Sequence, residues 1–488
     1  SDDRIFVSLY HGQDDLDNSR SLEIPSFVRE RLVERGIEFK GDNIDITDES
    51  GWGNTGVGSQ WARQWGDRVQ TLVSFGYSRY HNQRDRSSAM GRSRGALSED
   101  NILDDYTARL AVPIQLAWNH QLEIGGQVTS NDVSYDYGTG AAQLDDEEDD
   151  TEGDGPRILG VLDREEQGRY YSAYVQDRAT FFGKLVVTPG LRYTSYDGTS
   201  SGYLEPRIAA SLEVAPGFRL KGSWGRNTQF VNRIVREDVL GGNREFWALS
   251  DGDLVPVPES TNLVVGASYE TSDFLVDVEA FRNDQTQLTT FAPRFTPGDE
   301  GIDYDDYFYQ GDGESEGLEL LVQKKFGNHT GWASYTWSNT DYLFPELQAD
   351  PFPADHDQPH ELKLVYSARF GRFTVSGVYI YGSGRPYTEP IGTEELQLGN
   401  QDREFTVERV VVGDKNGARL PSYQRLDLSA NLDFEVFSGQ GTLGLTIFNV
   451  VDRGNVWYKE FSVVEGEIFE NNILLMSRTF NLFVNVRF

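Results

Sequence analysis

The sequence predicts an all-β transmembrane barrel of about eighteen antiparallel strands, and three observations carry that prediction. The first is the closing stretch, which alternates with period two. Phe480, Leu482, Val484, Val486 and Phe488 fall on one face, and Thr479, Asn481, Asn485 and Arg487 on the other, with Phe483 an apolar intruder. The second is repetition: alternating strand, short turn, alternating strand, long polar loop. The third is a low apolar content, 38%, with no apolar run of the roughly eighteen residues a membrane helix needs. A strand wall hides its grease in alternation, so a low average is compatible with a membrane.

In chain order, residues 4–11 rise as the first strand. The long loop after it is expected to hold a helix over 26–35, stopped by Gly36. Residues 54–64 and 69–80 pair around Trp65-Gly66-Asp67, and 107–116 and 121–137 around Trp118-Asn119-His120. An acidic loop containing Asp145-Asp146-Glu147-Glu148-Asp149-Asp150 follows. Then 170–181 turns at Gly183-Lys184 into 185–193, and 206–214 turns at Pro216-Gly217 into 218–230. The pairs 262–269 with 274–290, 317–326 with 332–342 and 360–370 with 373–381 come next. Last, 425–437 turns into 442–450 ahead of the closing strand.

Phases agree from strand to strand. Leu212, Leu220, Leu364, Leu428 and Val484 all fall on apolar faces, and Ser211, Lys221, Lys363 and Ser429 on polar ones. Aromatics gather near strand ends (Trp224, Tyr335, Trp337, Tyr379, Tyr381), as an interfacial girdle requires. A soluble sandwich has no reason for so regular a short-turn, long-loop asymmetry. Lipid is therefore the expected second layer, and outer-membrane lipid the expected surroundings.

Composition narrows function. A net charge of −34 excludes a nucleic-acid partner, which needs Lys and Arg on phosphates, and a polybasic membrane-surface anchor. The absence of Cys removes disulfides, zinc-thiolate sites and thiol nucleophiles. No Gly-x-Ser-x-Gly elbow, Gly-rich phosphate loop or His-Glu-x-x-His is present, so an enzyme is not expected and no cofactor is implied. Ser1-Asp2-Asp3-Arg4-Ile5 reads as the foot of a strand, without a signal peptide.

Several segments resemble the TonB-dependent outer-membrane transporters. They are Tyr174-Val175-Gln176-Asp177 with Thr188-Pro189-Gly190-Leu191-Arg192-Tyr193, Glu205-Pro206-Arg207, Gly317-Leu318-Glu319-Leu320, Asp357-Gln358-Pro359-His360, Gly382-Ser383-Gly384-Arg385-Pro386-Tyr387, Leu420-Pro421-Ser422-Tyr423-Gln424-Arg425-Leu426-Asp427 and Ile447-Phe448-Asn449-Val450. Each is weak alone, but their order from Tyr174 to Phe488 is specific. The resemblance implies a barrel of about twenty-two strands around an amino-terminal plug, in the outer membrane of a Gram-negative bacterium. It implies import of a bulky, scarce nutrient (an iron chelate, a cobalamin, an oligosaccharide or a peptide), powered by an inner-membrane energy-coupling protein. Residues 1–488 are then barrel throughout, with the plug and about four strands outside them. A passive porin-like channel and a structural or adhesive surface barrel are the alternatives.

For ligand contact the candidates are Tyr304, Tyr307 and Tyr309, aromatics among acids in a loop, and Arg385 and Tyr387, where a strand meets its loop. A girdle strand end explains the tyrosines equally well, and a structural role suits Arg385 and Tyr387 better. The run Asp145, Asp146, Glu147, Glu148, Asp149 and Asp150 is a weak calcium candidate, because that cation needs clustered oxygens, against a solvated loop. His356 and His360 beside Asp355 and Asp357 have a metal-like spacing, which Pro359 spoils.

Overall fold

The structure, a computed structural model, describes residues 3–23, 43–90, 93–117, 119–143, 157–293, 304–400, 403–436, 439–464 and 467–487. The expected helix over 26–35, the acidic run 145–150 and Phe488 lie outside them. The alternating segments assemble into one 22-stranded sheet. Four members are loop pieces: Arg20–Glu23, Val231–Arg236, Arg244–Leu249 and Phe352–Pro353. The other eighteen form an antiparallel wall in chain order, from Asp3–Asp17 to Thr479–Arg487. At the loop end the segment after the first strand reaches the hairpin that precedes the last one: Asn18 Nδ2 donates to the Tyr458 hydroxyl at 3.4 Å, and Arg20 pairs with Glu460. The wall is a transmembrane β-barrel.

Residues directly opposite in an antiparallel ladder share a face, so the register tests the two-face reading. Leu212, Leu220, Ala267, Val278, Leu320 and Tyr335 pair in succession, and all but Ala267 are large apolar side chains left exposed. Along the adjacent row run Ser211, Lys221, Gly266, Glu279, Glu319, Thr336 and Glu361. On that polar row Lys221 Nζ lies 2.8 Å from Asp277 Oδ2 and also pairs with Glu279. The outer face is thus a continuous lipid-facing band and the inner face a polar lumen.

Two aromatic girdles bound the band. Phe181, Phe182, Phe218, Phe326, Phe370 and Phe373 are exposed beside the short turns. Trp224, Tyr335 and Trp337 are exposed, and Tyr379 and Tyr381 partly so, roughly six to eight residues further along their strands, on the order of 20–25 Å. The short turns are pinched by glycine where nothing else fits. Gly217 sits at φ 76°, and a Cβ there would stand 2.3 Å from the carbonyl oxygen of Glu270. The apolar intruder Phe483 also finds its reason: its ring lies over Gly444 across the ladder, where a Cβ would be 2.2 Å from Phe483 Cε1.

The strands outrun their expected bounds at the loop end. Asn43–Trp65, Val69–Met90, Ser93–Ala117, His120–Gln143 and Arg157–Phe181 are 22–25 residues long. His360–Phe370 and Phe373–Gly382 are only 11 and 10. One flank therefore stands well above the lipid band and offers its inner surface to the loops.

Candidate functional site

The motifs at the loop end converge on one hub. Asp357, 2% exposed, accepts from the Thr340 backbone N–H at 2.9 Å and pairs with Arg419 Nη2 at 2.6 Å. Gln358 Nε2 donates to the Ser383 carbonyl at 2.9 Å, and the Leu420 N–H to the Arg385 carbonyl at 2.9 Å. Gly384 is required by contact: a Cβ would lie 1.6 Å from the Leu420 carbonyl oxygen. The short pair Pro386–Tyr387 with Ala418–Arg419 is thereby aimed over the mouth. Tyr387 arrives half-buried, stacked on Phe461 at 6.2 Å, with Lys459 Nζ 5.1 Å from its ring centroid.

Opposite the hub, Val231–Arg236 and Arg244–Leu249 form a hairpin that folds onto the inner face of the tall flank. Ile234, Phe246 and Ala248 pack with Tyr135, Leu162, Phe291 and Phe308, and Phe246 stacks on Tyr135 at 4.0 Å. Arg236, 2% exposed, is fixed within this core. Its Nη2 lies 3.0 Å from Glu99 Oε2, its guanidinium 4.3 Å from the Tyr137 ring centroid, and Tyr135 donates to Glu99 Oε1 at 2.8 Å. The turn is then tied to the hub: Glu237 meets Lys415 Nζ at 3.0 Å and accepts from Thr388 Oγ1 at 3.1 Å. Glu460 joins Arg20 and Arg86 in the same layer. Buried charges persist only when partnered, so these pairs specify one arrangement of the loops.

A cavity of about 410 Å³ lies between the hairpin, the hub and the 456–461 segment. It is lined by Tyr80, Arg233, Arg244, Trp247, Arg385, Tyr387, Trp457, Tyr458 and Lys459 among others. A second chamber of about 240 Å³ shares Tyr80, Asn82, Arg244 and Trp457 with it and adds Asp48, Trp52 and Arg84. Arg244 stands at the junction with its guanidinium 5.8 Å from the Tyr458 ring centroid. Burial, and then the neighbouring Arg84, push its pKa below the usual arginine range. Cation-lined aromatic walls suit a flat or anionic ligand.

The structure therefore brings Arg385 and Tyr387 together in one cavity. It places the other candidates elsewhere. Tyr307 packs against the hairpin core, and Tyr309 lies opposite Thr290 at the top of the wall. Tyr304 opens the 3-10 turn Tyr304–Tyr307. His360 Nδ1 is 2.8 Å from the Tyr335 hydroxyl, and Asp357 is committed to Arg419. Arg244, Trp457 and Tyr458 went unnoticed in the sequence; for the last two the signal available was the aromatic-basic run Trp457-Tyr458-Lys459 in a loop.

Comparison with known proteins fits this geometry. The family model described as TonB dependent receptor-like, beta-barrel matches residues 7–450. Among solved structures, the ferric preacinetobactin receptor BauA from Acinetobacter baumannii is similar at a TM-score of 0.59 and 13% identity, over 99% of this chain and 69% of that one. The ferric-catecholate import receptor Fiu from Escherichia coli K12 is similar at a TM-score of 0.61 and 11% identity, over 99% of this chain and 72% of that one. The unliganded ferric citrate transporter FecA gives 0.56 and 11%, over 99% and 69%. A comparison with curated proteins finds no significant match in sequence.

Proposed function

Because this chain belongs to the TonB-dependent receptor β-barrel family, an outer-membrane receptor family and not an enzyme family, we propose that it receives an iron chelate at its loop end for energy-coupled import. The observation that carries the reading is the roofed mouth. A core-packed hairpin and ion-paired loops cross it and leave an aromatic, arginine-lined cavity. A ligand receptor needs such a surface, whereas a diffusion pore gains nothing from it. The solved structures with this fold that are titled for ferric preacinetobactin, ferric catecholates and ferric citrate support iron chelates as the cargo class. In this reading residues 1–488 are barrel, a plug domain fills the lumen, and an inner-membrane energy-coupling protein drives release. Arg385 and Tyr387 contact ligand in the cavity, while Tyr307 packs against the hairpin core.

A passive channel draws on the polar inner row from Ser211 to Glu361, which also suits a plug interface. The two readings separate in cells. Uptake of radiolabelled ferric chelates is measured with the full protein, before and after the proton-motive force is collapsed. Import predicts uptake that saturates and stops without energy. Uptake that continues unchanged and scales with concentration overturns the import reading in favour of the channel.

A further inference from the structure

We infer that the 240 Å³ chamber is a subsite for the carboxylate head of an aromatic ligand, gripped between Arg84 and Arg244. The inference rests on the receptor reading and adds the chemistry of what enters first.

The argument begins with unspent donors. Arg84 is 3% exposed, and it spends Nε and Nη2 on Asp48 at 2.7 and 2.8 Å. Its Nη1 is buried with no partner, in the wall of this chamber. Arg244 Nε is also buried with no partner, and among the described residues its side chain makes no hydrogen bond or ion pair, only the contact with the Tyr458 ring. Among the described residues no neighbouring carboxylate pairs with it, each being turned to another partner. Asp48 holds Arg84, Glu99 holds Arg236 and the Tyr135 hydroxyl, and Glu460 holds Arg20 and Arg86. Asp238 accepts from the Gly241 N–H at 2.7 Å. Arginines 20, 84, 86, 236 and 244 thus face Asp48, Glu99, Glu460 and Asp238, and the unmatched cation is Arg244. A half-buried guanidinium with no anion beside it and two cavities in front of it is placed to take one up, and its planar fork matches a carboxylate.

The chamber's remaining walls set the rest of the ligand. Asp48 and Glu99 also line it, each held by an arginine, while Trp52, Tyr80 and Trp457 offer flat faces and Asn18 and Asn82 neutral donors. At about 240 Å³ the space is below the roughly 300–1,000 Å³ typical of whole ligands. It takes one ring with its anionic group, and the body of the ligand extends past Arg244 into the larger cavity. In a chain of net charge −34, an anion has little other reason to settle.

Titration calorimetry on the full chain in detergent tests this with three probes of one shape: benzoate, benzamide and benzylammonium. Benzoate is expected to bind saturably, and the other two at least about tenfold more weakly, since a charge-assisted pair is lost. Arg244→Gln should weaken benzoate about tenfold, and Arg369→Gln, beside a short turn and in neither cavity, should change it less than about twofold. If Arg244→Gln gives no heat-modifiable folded band, Arg244→Lys is read instead, and it should weaken benzoate severalfold because the fork is gone. Equal binding of benzamide and benzoate, or benzoate affinity unmoved by either Arg244 change, overturns the inference. A barrel that ignores benzoate yet shows energised chelate uptake refutes this subsite alone. A barrel that binds benzoate but shows no energised uptake refutes the import reading alone.

Discussion

Gly384 is the residue whose change propagates furthest. Its missing side chain lets Leu420 close to within 1.6 Å of where a Cβ would stand, and no rotamer of a neighbour can relieve a clash with a backbone carbonyl. Gly384→Ala should cost about 1–3 kcal/mol and displace Arg385 and Tyr387 together, seen as faster proteolysis within 383–420 in the folded barrel. On the outer wall the same logic concerns lipid. Leu220 and Leu428 are exposed on the apolar row, Ser211 and Ser429 half-buried on the polar row. Arg at either leucine should cost about 2–4 kcal/mol in a refolding titration, and Arg at either serine little. At Gly444 the opposing ring decides the outcome. Gly444→Ala should destabilise by about 1–3 kcal/mol, and adding Phe483→Ala should recover part of that loss, a non-additivity read by a double-mutant cycle.

Among the elements, the inward hairpin depends most on a single ion pair. Arg236→Met leaves Glu99 buried without its cation, at a cost of about 3–5 kcal/mol. Because the pair sits above the outer girdle, the wall should stay heat-modifiable while 237–243 becomes open to protease. The wall strands were legible because lipid and lumen impose opposite chemistry on alternate residues, which writes period two into Leu212, Leu220, Leu364 and Leu428. The hairpin was not. Asn232 and Arg236 are buried polar groups that read as solvated faces, and only Gly241-Gly242 between apolar runs marked the turn. The hairpins Pro390–Asn400 with Arg403–Val412, and Val456–Val464 with Glu467–Leu474, escaped for a related reason. Above the lipid band both faces meet water or other loops, so no alternation is enforced. Arg385 and Tyr387 came from motif position, whereas Arg244 needed three dimensions.

For the whole molecule, the net charge of −34 is a standing repulsion relieved by salt within a Debye length of about 8–10 Å. Replacing Asp145, Asp146, Glu147, Glu148, Asp149 and Asp150 with Asn or Gln should raise thermal stability at low salt and flatten its response to calcium and sodium chloride. An unchanged response with lost ligand uptake would assign that loop to capture of substrate instead. The larger claim is that the chain's own loops roof the barrel. Single-channel conductance across a planar bilayer tests it most directly. It compares a plug-deleted form of the protein with the same form in which 231–249 is also replaced by a short Gly-Ser turn. The account predicts no stable open level for the plug-deleted form that keeps its loops and steady ohmic conductance once the hairpin is removed as well. An equally large, steady conductance in both would contradict it.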